Sequence, residues 1–216
     1  MNNIEAVLFD LDGTLIDSEF FYFSNWQPIL SSEFDFEITF TDWIQFFAGH
    51  TLVANVDLLK KKWGIETTVE FMWKETRANY AKSDMRTIQL MPHAREILEA
   101  LHESPMRIGL VTSSYRTTVD TVLGHHNLLP FFEFFVTREK VTEAKPAAEP
   151  YLLACDLLGL PKANIVAVED TITGFSAAKA AGISCIAVSE QESERAKLVD
   201  ATHLVEDLIG VRNILL

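Results

Sequence analysis

Cysteine is almost absent from this chain. There are two, Cys155 and Cys185, and no second Cys or His stands near either at metal-ligand spacing. That excludes a zinc module or a CxxC redox motif and leaves two reduced, buried thiols in a cytoplasmic protein. Cations are also scarce. Eighteen Lys and Arg face 31 Asp and Glu, a formal charge of −13 at pH 7. Such a balance argues against nucleic acid or an anionic membrane as partner. No apolar run reaches the ~18 residues of a membrane span. The start Met1-Asn2-Asn3-Ile4-Glu5 has no basic region, so it does not read as a signal peptide. No internal repeat and no low-complexity segment is found.

What is abundant is core material. Of 216 residues, 48% are hydrophobic. That suits one domain, or one domain with a modest insertion, and the expected state is a monomer or weak dimer. The most informative stretch is Ala6-Val7-Leu8-Phe9-Asp10-Leu11-Asp12-Gly13-Thr14-Leu15. An apolar run reads as a buried strand, and Asp12-Gly13 reads as a turn. Two carboxylates therefore stand where a strand ends, and folding has no use for them there.

From Asp17-Ser18-Glu19, a plausible helix start, to about Arg86 the pattern is helical. Phe20, Phe23, Trp26, Ile29 and Leu30 recur at helical spacing around Pro28. Thr41-Asp42 reads as the cap of a helix over 43–47, Gly49 ends that segment, and further helices are expected over 52–63 and 67–82. A strand is possible only near 37–39. After Met91 short apolar strands alternate with amphipathic helices: helix 92–101, strand 107–112, helix 116–123 stopped by Gly124, strand 134–137, helix 147–158, strand 164–168, helix 174–181, strand 184–188, and an edge strand at 203–205. Such alternation means an α/β domain, a parallel sheet with helices on both faces. Ligands bind beyond the carboxyl ends of its strands.

The polar residues at those ends are Asp10 and Asp12; Thr112, Ser113 and Ser114; and Glu169 and Asp170. Lys145 lies in the loop before the 147–158 helix. Singly, each has a plain structural reading as a turn, a helix cap or a solvated lysine. In this order, each at the end of an α/β unit, they point to chemistry at a metal or a phosphate.

The order DLDGTLIDS, VTSS, KP and VEDT resembles the haloacid dehalogenase superfamily, and more narrowly its phosphoglycolate phosphatase and β-phosphoglucomutase-like subfamily. Nearly the whole chain takes part, including Lys145-Pro146-Ala147-Ala148-Glu149-Pro150-Tyr151 and the stretch 174–182. The resemblance implies a Rossmann-like core over 1–16 and 87–216, with a parallel sheet and helices on both faces. It also implies an inserted all-helical cap over 17–86. Asp10 would be the nucleophile, becoming an aspartyl phosphate, and Asp12 the general acid/base. Thr112, Ser113, Ser114 and Lys145 would bind the phosphoryl group. Mg²⁺ would be held by Asp10, Asp12 through its backbone carbonyl, Glu169 and Asp170. The expected activity is hydrolysis of a small phosphorylated metabolite. Mg²⁺ prefers hard oxygens, which suits this donor set, and covalent catalysis divides the transfer into two steps. A lid would exclude water until the first step is complete.

Against the subfamily's sugar phosphomutases, Tyr22 stands where they carry a histidine, and Gly49-His50-Thr51-Leu52-Val53 lacks their arginine. Both differences favour a phosphatase. Tyr22 and His50 are the cap residues expected to contact substrate; the other histidines read as surface or packing positions. Asp12 speaks against dehalogenation, whose leaving halide needs no proton. A phosphomutase is the runner-up. A non-enzymatic receiver-like phospho-acceptor is the reading from another class; it would be shorter and would lack the helical insertion.

Overall fold

The computed structural model describes residues 3–216. In chain order its elements are β1 (Ala6–Phe9), β2 (Ile16–Asp17), α1 (Glu19–Phe34), α2 (Phe40–Phe46), α3 (Leu52–Trp63), α4 (Val69–Tyr80), β3 (Gln89–Leu90), α5 (Ala94–His102) and β4 (Arg107–Val111). These are followed by α6 (Arg116–His125), β5 (Phe134–Val136), α7 (Glu149–Leu158), β6 (Ile165–Glu169), α8 (Ile172–Ala181), β7 (Ser184–Val188), α9 (Glu192–Arg195), β8 (His203–Val205) and α10 (Leu208–Leu215). They form two units. One combines the chain up to Asp17 with Gln89–Leu216; the other is Ser18–Ile88.

The first unit is built on a parallel six-stranded sheet of order β5-β4-β1-β6-β7-β8. All four residues of β1 are buried on both sheet faces, as an apolar strand between two helical layers requires. Helices α7 and α8 pack on one face and α5 and α10 on the other. Tyr151, Ala154, Ala177 and Ala178 fill the first of these layers. From β1 the chain builds outward through β4 and β5, then crosses back to β6 on the opposite side. The strand order therefore reverses at β1, and the crevice beyond the ends of β4, β1 and β6 is the topological switch point. A separate pairing of Asp17 with Gln89 and Ile16 with Leu90 joins β2 to β3, antiparallel, where the chain leaves and re-enters this unit.

The second unit is helical with an aromatic core. Trp43 and Phe47 stack at 5.5 Å, as do Phe47 and Trp63, and Trp26 meets Trp43 edge-on. Ile29, Leu30, Ile38, Val56, Leu59 and Met72 complete the cluster. Helix α1 runs unbroken through Pro28.

Several element ends differ from the sequence reading. Thr39 caps α2, with Asp42 returning a bond to the Thr39 backbone, so the helix starts at Phe40 and residues 37–39 form no strand. Thr41 lies inside the helix. α6 passes through Gly124, because the turn that stops it comes at Asn127, with φ of 56°. α8 starts at Ile172, two residues before Gly174, because Thr171 caps it by accepting from the Gly174 N–H. α5 and α7 each start two residues later than the pattern indicated, at Ala94 and Glu149.

Candidate active site

Three adjacent strands deliver the acidic and hydroxyl groups. The ladder of β1 continues one step beyond Phe9, where the Asp10 N–H donates to the Val168 carbonyl at 3.0 Å. Thr112 follows β4 directly, its N–H donating to the Val136 carbonyl at 2.9 Å. Glu169 is the last residue of β6 and Asp170 the next. Asp10, Thr112 and Glu169 are buried.

Lys145 joins them from the loop before α7. The Glu149 carboxylate accepts from the Thr142 and Glu143 N–H groups at 2.8 and 2.7 Å, tying that loop to the helix start. The Lys145 ammonium donates to Asp10 Oδ1 at 2.5 Å, to Glu169 Oε1 at 2.5 Å and to the Val111 carbonyl at 2.8 Å. All three of its protons are thereby used. The Tyr151 hydroxyl, wholly buried, donates to the same Glu169 oxygen at 2.5 Å.

Asp170 is held by two groups from the loop after β1. Thr14 Oγ1 donates to its Oδ1 at 3.2 Å. Gly13, with φ of 81°, lies so close that a Cβ there would stand 2.1 Å from Asp170 Oδ2. Only glycine satisfies both the turn and the approach. That loop is closed on itself by Gly13 N–H to the Ile16 carbonyl and by Leu15 and Ile16 N–H to the Leu11 carbonyl.

The electrostatics call for a cation. Asp10, Glu169 and Asp170 each offer an oxygen within 4.8 Å of the others. Burial, opposed by the Lys145 charge and reinforced by Glu169 and Asp12, pushes the Asp10 carboxyl up to about 8. Burial, with Asp10 and Glu169 alongside, holds Asp170 well above the ordinary carboxylate range. Burial works against the Lys145 charge, but Asp10 and Glu169 outweigh it and keep the ammonium protonated. One lysine cannot neutralise three clustered carboxylates. The donors are hard oxygens, which fit Mg²⁺.

Asp12 takes a different direction. Its carboxylate is not a member of the three-acid group; Oδ2 accepts from Ser114 Oγ at 2.7 Å. Ser113 is exposed. The loops after β1, β4 and β6 and the loop before α7 thus bring Asp10, Asp12, Thr112, Ser114, Lys145, Glu169 and Asp170 together. Tyr22 and His50 belong to the helical unit. Tyr22 packs against Phe21 and Tyr80, and His50 is exposed, its Nδ1 donating to the Phe46 carbonyl at 3.1 Å. Tyr151, Thr14 and Gly174 have site contacts that sequence reasoning missed. Thr14 stood in the DGT motif, the one signal available for it.

Known proteins resemble this chain along most of its length. The pattern of the haloacid dehalogenase-like hydrolases matches residues 7–188. Validoxylamine A 7′-phosphate phosphatase of Streptomyces hygroscopicus subsp. limoneus is 29% identical, over 96% of each chain. Hexitol phosphatase B of Escherichia coli is 28% identical, over 96% of this chain and 97% of its own. In fold, a haloacid dehalogenase-like family hydrolase of Streptococcus pneumoniae superposes with a TM-score of 0.84 at 22% identity, over the whole of both chains.

Proposed function

The chain belongs to the haloacid dehalogenase-like hydrolase family and is a phosphate-ester hydrolase, and from that premise we propose a Mg²⁺-dependent phosphatase of a small phosphorylated sugar or sugar alcohol that acts through a phosphoryl group carried on Asp10. The observation that carries the reading is the buried Asp10–Lys145 pair at the switch point, with a second aspartate two residues on and outside the metal-capable cluster. Two carboxylates so placed can do different work: one attacks, the other moves protons.

Asp10 attacks phosphorus, and Asp12 protonates the leaving alcohol. Asp12 then takes a proton from the water that releases phosphate from Asp10. Lys145, fixed on Asp10 and Glu169, offsets charge at the nucleophile, and Thr112, with Ser113 beside it, binds the phosphoryl group. Asp10, Asp170, Glu169 and the Asp12 carbonyl would hold Mg²⁺, which supplies positive charge against the transferring phosphoryl oxygens. The helical unit is the candidate cap, and Tyr22 and His50 are its candidate contacts for the leaving group. The relatives' names support a phosphorylated carbohydrate or polyol as substrate. Tyr22, and the lack of arginine after Gly49, favour hydrolysis over phosphoryl transfer to a second sugar hydroxyl.

The test is hydrolysis of p-nitrophenyl phosphate with and without Mg²⁺. The unmodified protein should turn over only with the ion, Asp10→Asn should be inert, and Asp12→Asn should accumulate a phosphoprotein. Absence of turnover in the unmodified protein across a panel of phosphate esters would sink the proposal.

A further inference from the structure

We infer that Ser114 is a positioning residue that holds Asp12 in place for proton transfer, and does not itself bind the phosphoryl group. The inference rests on the phosphatase reading above. Three bonds carry it. The Ser114 hydroxyl donates to Asp12 Oδ2 at 2.7 Å, its N–H donates to Thr112 Oγ1 at 3.0 Å, and its carbonyl accepts from the Arg138 N–H at 3.0 Å. The backbone of Ser114 is therefore fixed from both sides, by the residue that follows β4 and by the segment after β5. The side chain that this fixed backbone presents meets the acid/base candidate across 102 residues of sequence.

The hydroxyl has a single proton. Given to Asp12, it is not available to a phosphoryl oxygen, for which the Thr112 hydroxyl is the donor. What Ser114 contributes is the direction of the Asp12 carboxyl, kept apart from the Asp10, Glu169 and Asp170 cluster.

Asp12 acts in both steps. In the first, the Asp10 carboxylate forms a bond to phosphorus, the ester P–O bond breaks, and the Asp12 proton goes to the leaving oxygen. In the second, water forms a bond to phosphorus, its proton passes to Asp12, and the bond to Asp10 breaks, restoring the carboxylate and releasing inorganic phosphate. With p-nitrophenyl phosphate the leaving p-nitrophenolate needs no proton. Only the second step then depends on Asp12, and a misdirected Asp12 should slow that step alone.

Rapid-quench and steady-state kinetics on p-nitrophenyl phosphate with Mg²⁺ test this, using Ser114→Ala, Ser114→Cys and Ser114→Thr. For Ala and for Cys, a poor donor of similar size, kcat should fall about tenfold with KM falling alongside, so that kcat/KM stays within about twofold. A burst of p-nitrophenol equal to the enzyme concentration and a phosphoprotein in the intact mass should accompany it. Thr, which keeps the hydroxyl, should restore kcat and abolish the burst. The inference is overturned if kcat/KM falls as much as kcat with no burst, since Ser114 would then contact the phosphoryl group, or if kcat does not change. If the unmodified protein hydrolyses no phosphate ester, the phosphatase reading itself fails and takes this one with it.

Discussion

Lys145 is the residue whose loss should be felt most. It is buried with Asp10 and Glu169, and each of its protons has a partner. Removing one member of such a network leaves uncompensated buried charge, at a cost of about 3–5 kcal/mol. Lys145→Ala should therefore lose about that much stability in urea titrations without metal at pH 8, and all phosphatase activity. The loss should shrink at pH 5, where Asp10, pushed up to about 8 by burial, holds a proton. In the sequence Lys145 stood out only jointly with Asp10, Asp12, Thr112 and Asp170, since singly each also reads as a turn, a helix cap or a solvated lysine. Tyr151 and Thr14 did not stand out. Their contacts are made to Glu169 and Asp170 across distances in sequence that no local pattern encodes, and a buried tyrosine on an amphipathic helix has the same signature as any core residue.

Elements set the distances within the site, and the first turn of α8 is the tightest constraint. A Cβ on Gly174 would lie 1.8 Å from Glu169 Oε2. The Glu169 carboxylate cannot swing aside, being held by Lys145 and Tyr151. Gly174→Ala should therefore lose about 1–3 kcal/mol on chemical denaturation and weaken the Lys145–Glu169 pair, with a fall in kcat. In the sequence, Gly174 read as the start of a helix. The true start is two residues earlier, and the glycine is there for the approach of a side chain rather than for capping. A similar competition hid the start of α2, where Thr39, Thr41 and Asp42 are all good cap residues. The capping box picks Thr39, since only it places an acid three residues on. Thr39→Ala should cost about 1 kcal/mol, whereas Thr41→Ala should be nearly neutral, a contrast readable from paired thermal melts. The strands of the six-stranded sheet were legible to within a residue because their apolar runs are bounded by polar ends, whereas the two-residue strands β2 and β3 are too short to show a pattern. Helix ends depend on which of several capable side chains reaches a backbone N–H.

At the scale of the molecule, all three metal-capable carboxylates lie in the sheet unit, and that unit closes on itself where the helical unit departs. Asp17 and Gln89 are antiparallel partners, so their backbones are about 5 Å apart. Replacing 18–88 by a two-residue Asn-Gly turn should leave a chain that folds cooperatively and keeps its response to Mg²⁺. That response has a predictable pH dependence. In the folded, metal-free protein burial pushes Asp10 up to about 8, while in the unfolded chain it titrates near 4. Between those values the folded state holds a proton that the unfolded chain has released. The resulting stability is fully present below the lower value and is lost as pH rises through the upper one. Mg²⁺ competes with that proton for the same oxygens, so its stabilisation should be small at pH 5 and should grow towards pH 8, as Asp10 gives up the proton. Melting temperatures of the full chain and of the shortened one, with and without millimolar Mg²⁺ across that range, measure it directly. Contributions from the surface carboxylates cancel in the difference between the two conditions. A gain that is flat with pH would mean that the ion does not bind at Asp10. A gain present in the full chain but absent from the shortened one would mean that the helical unit supplies a ligand.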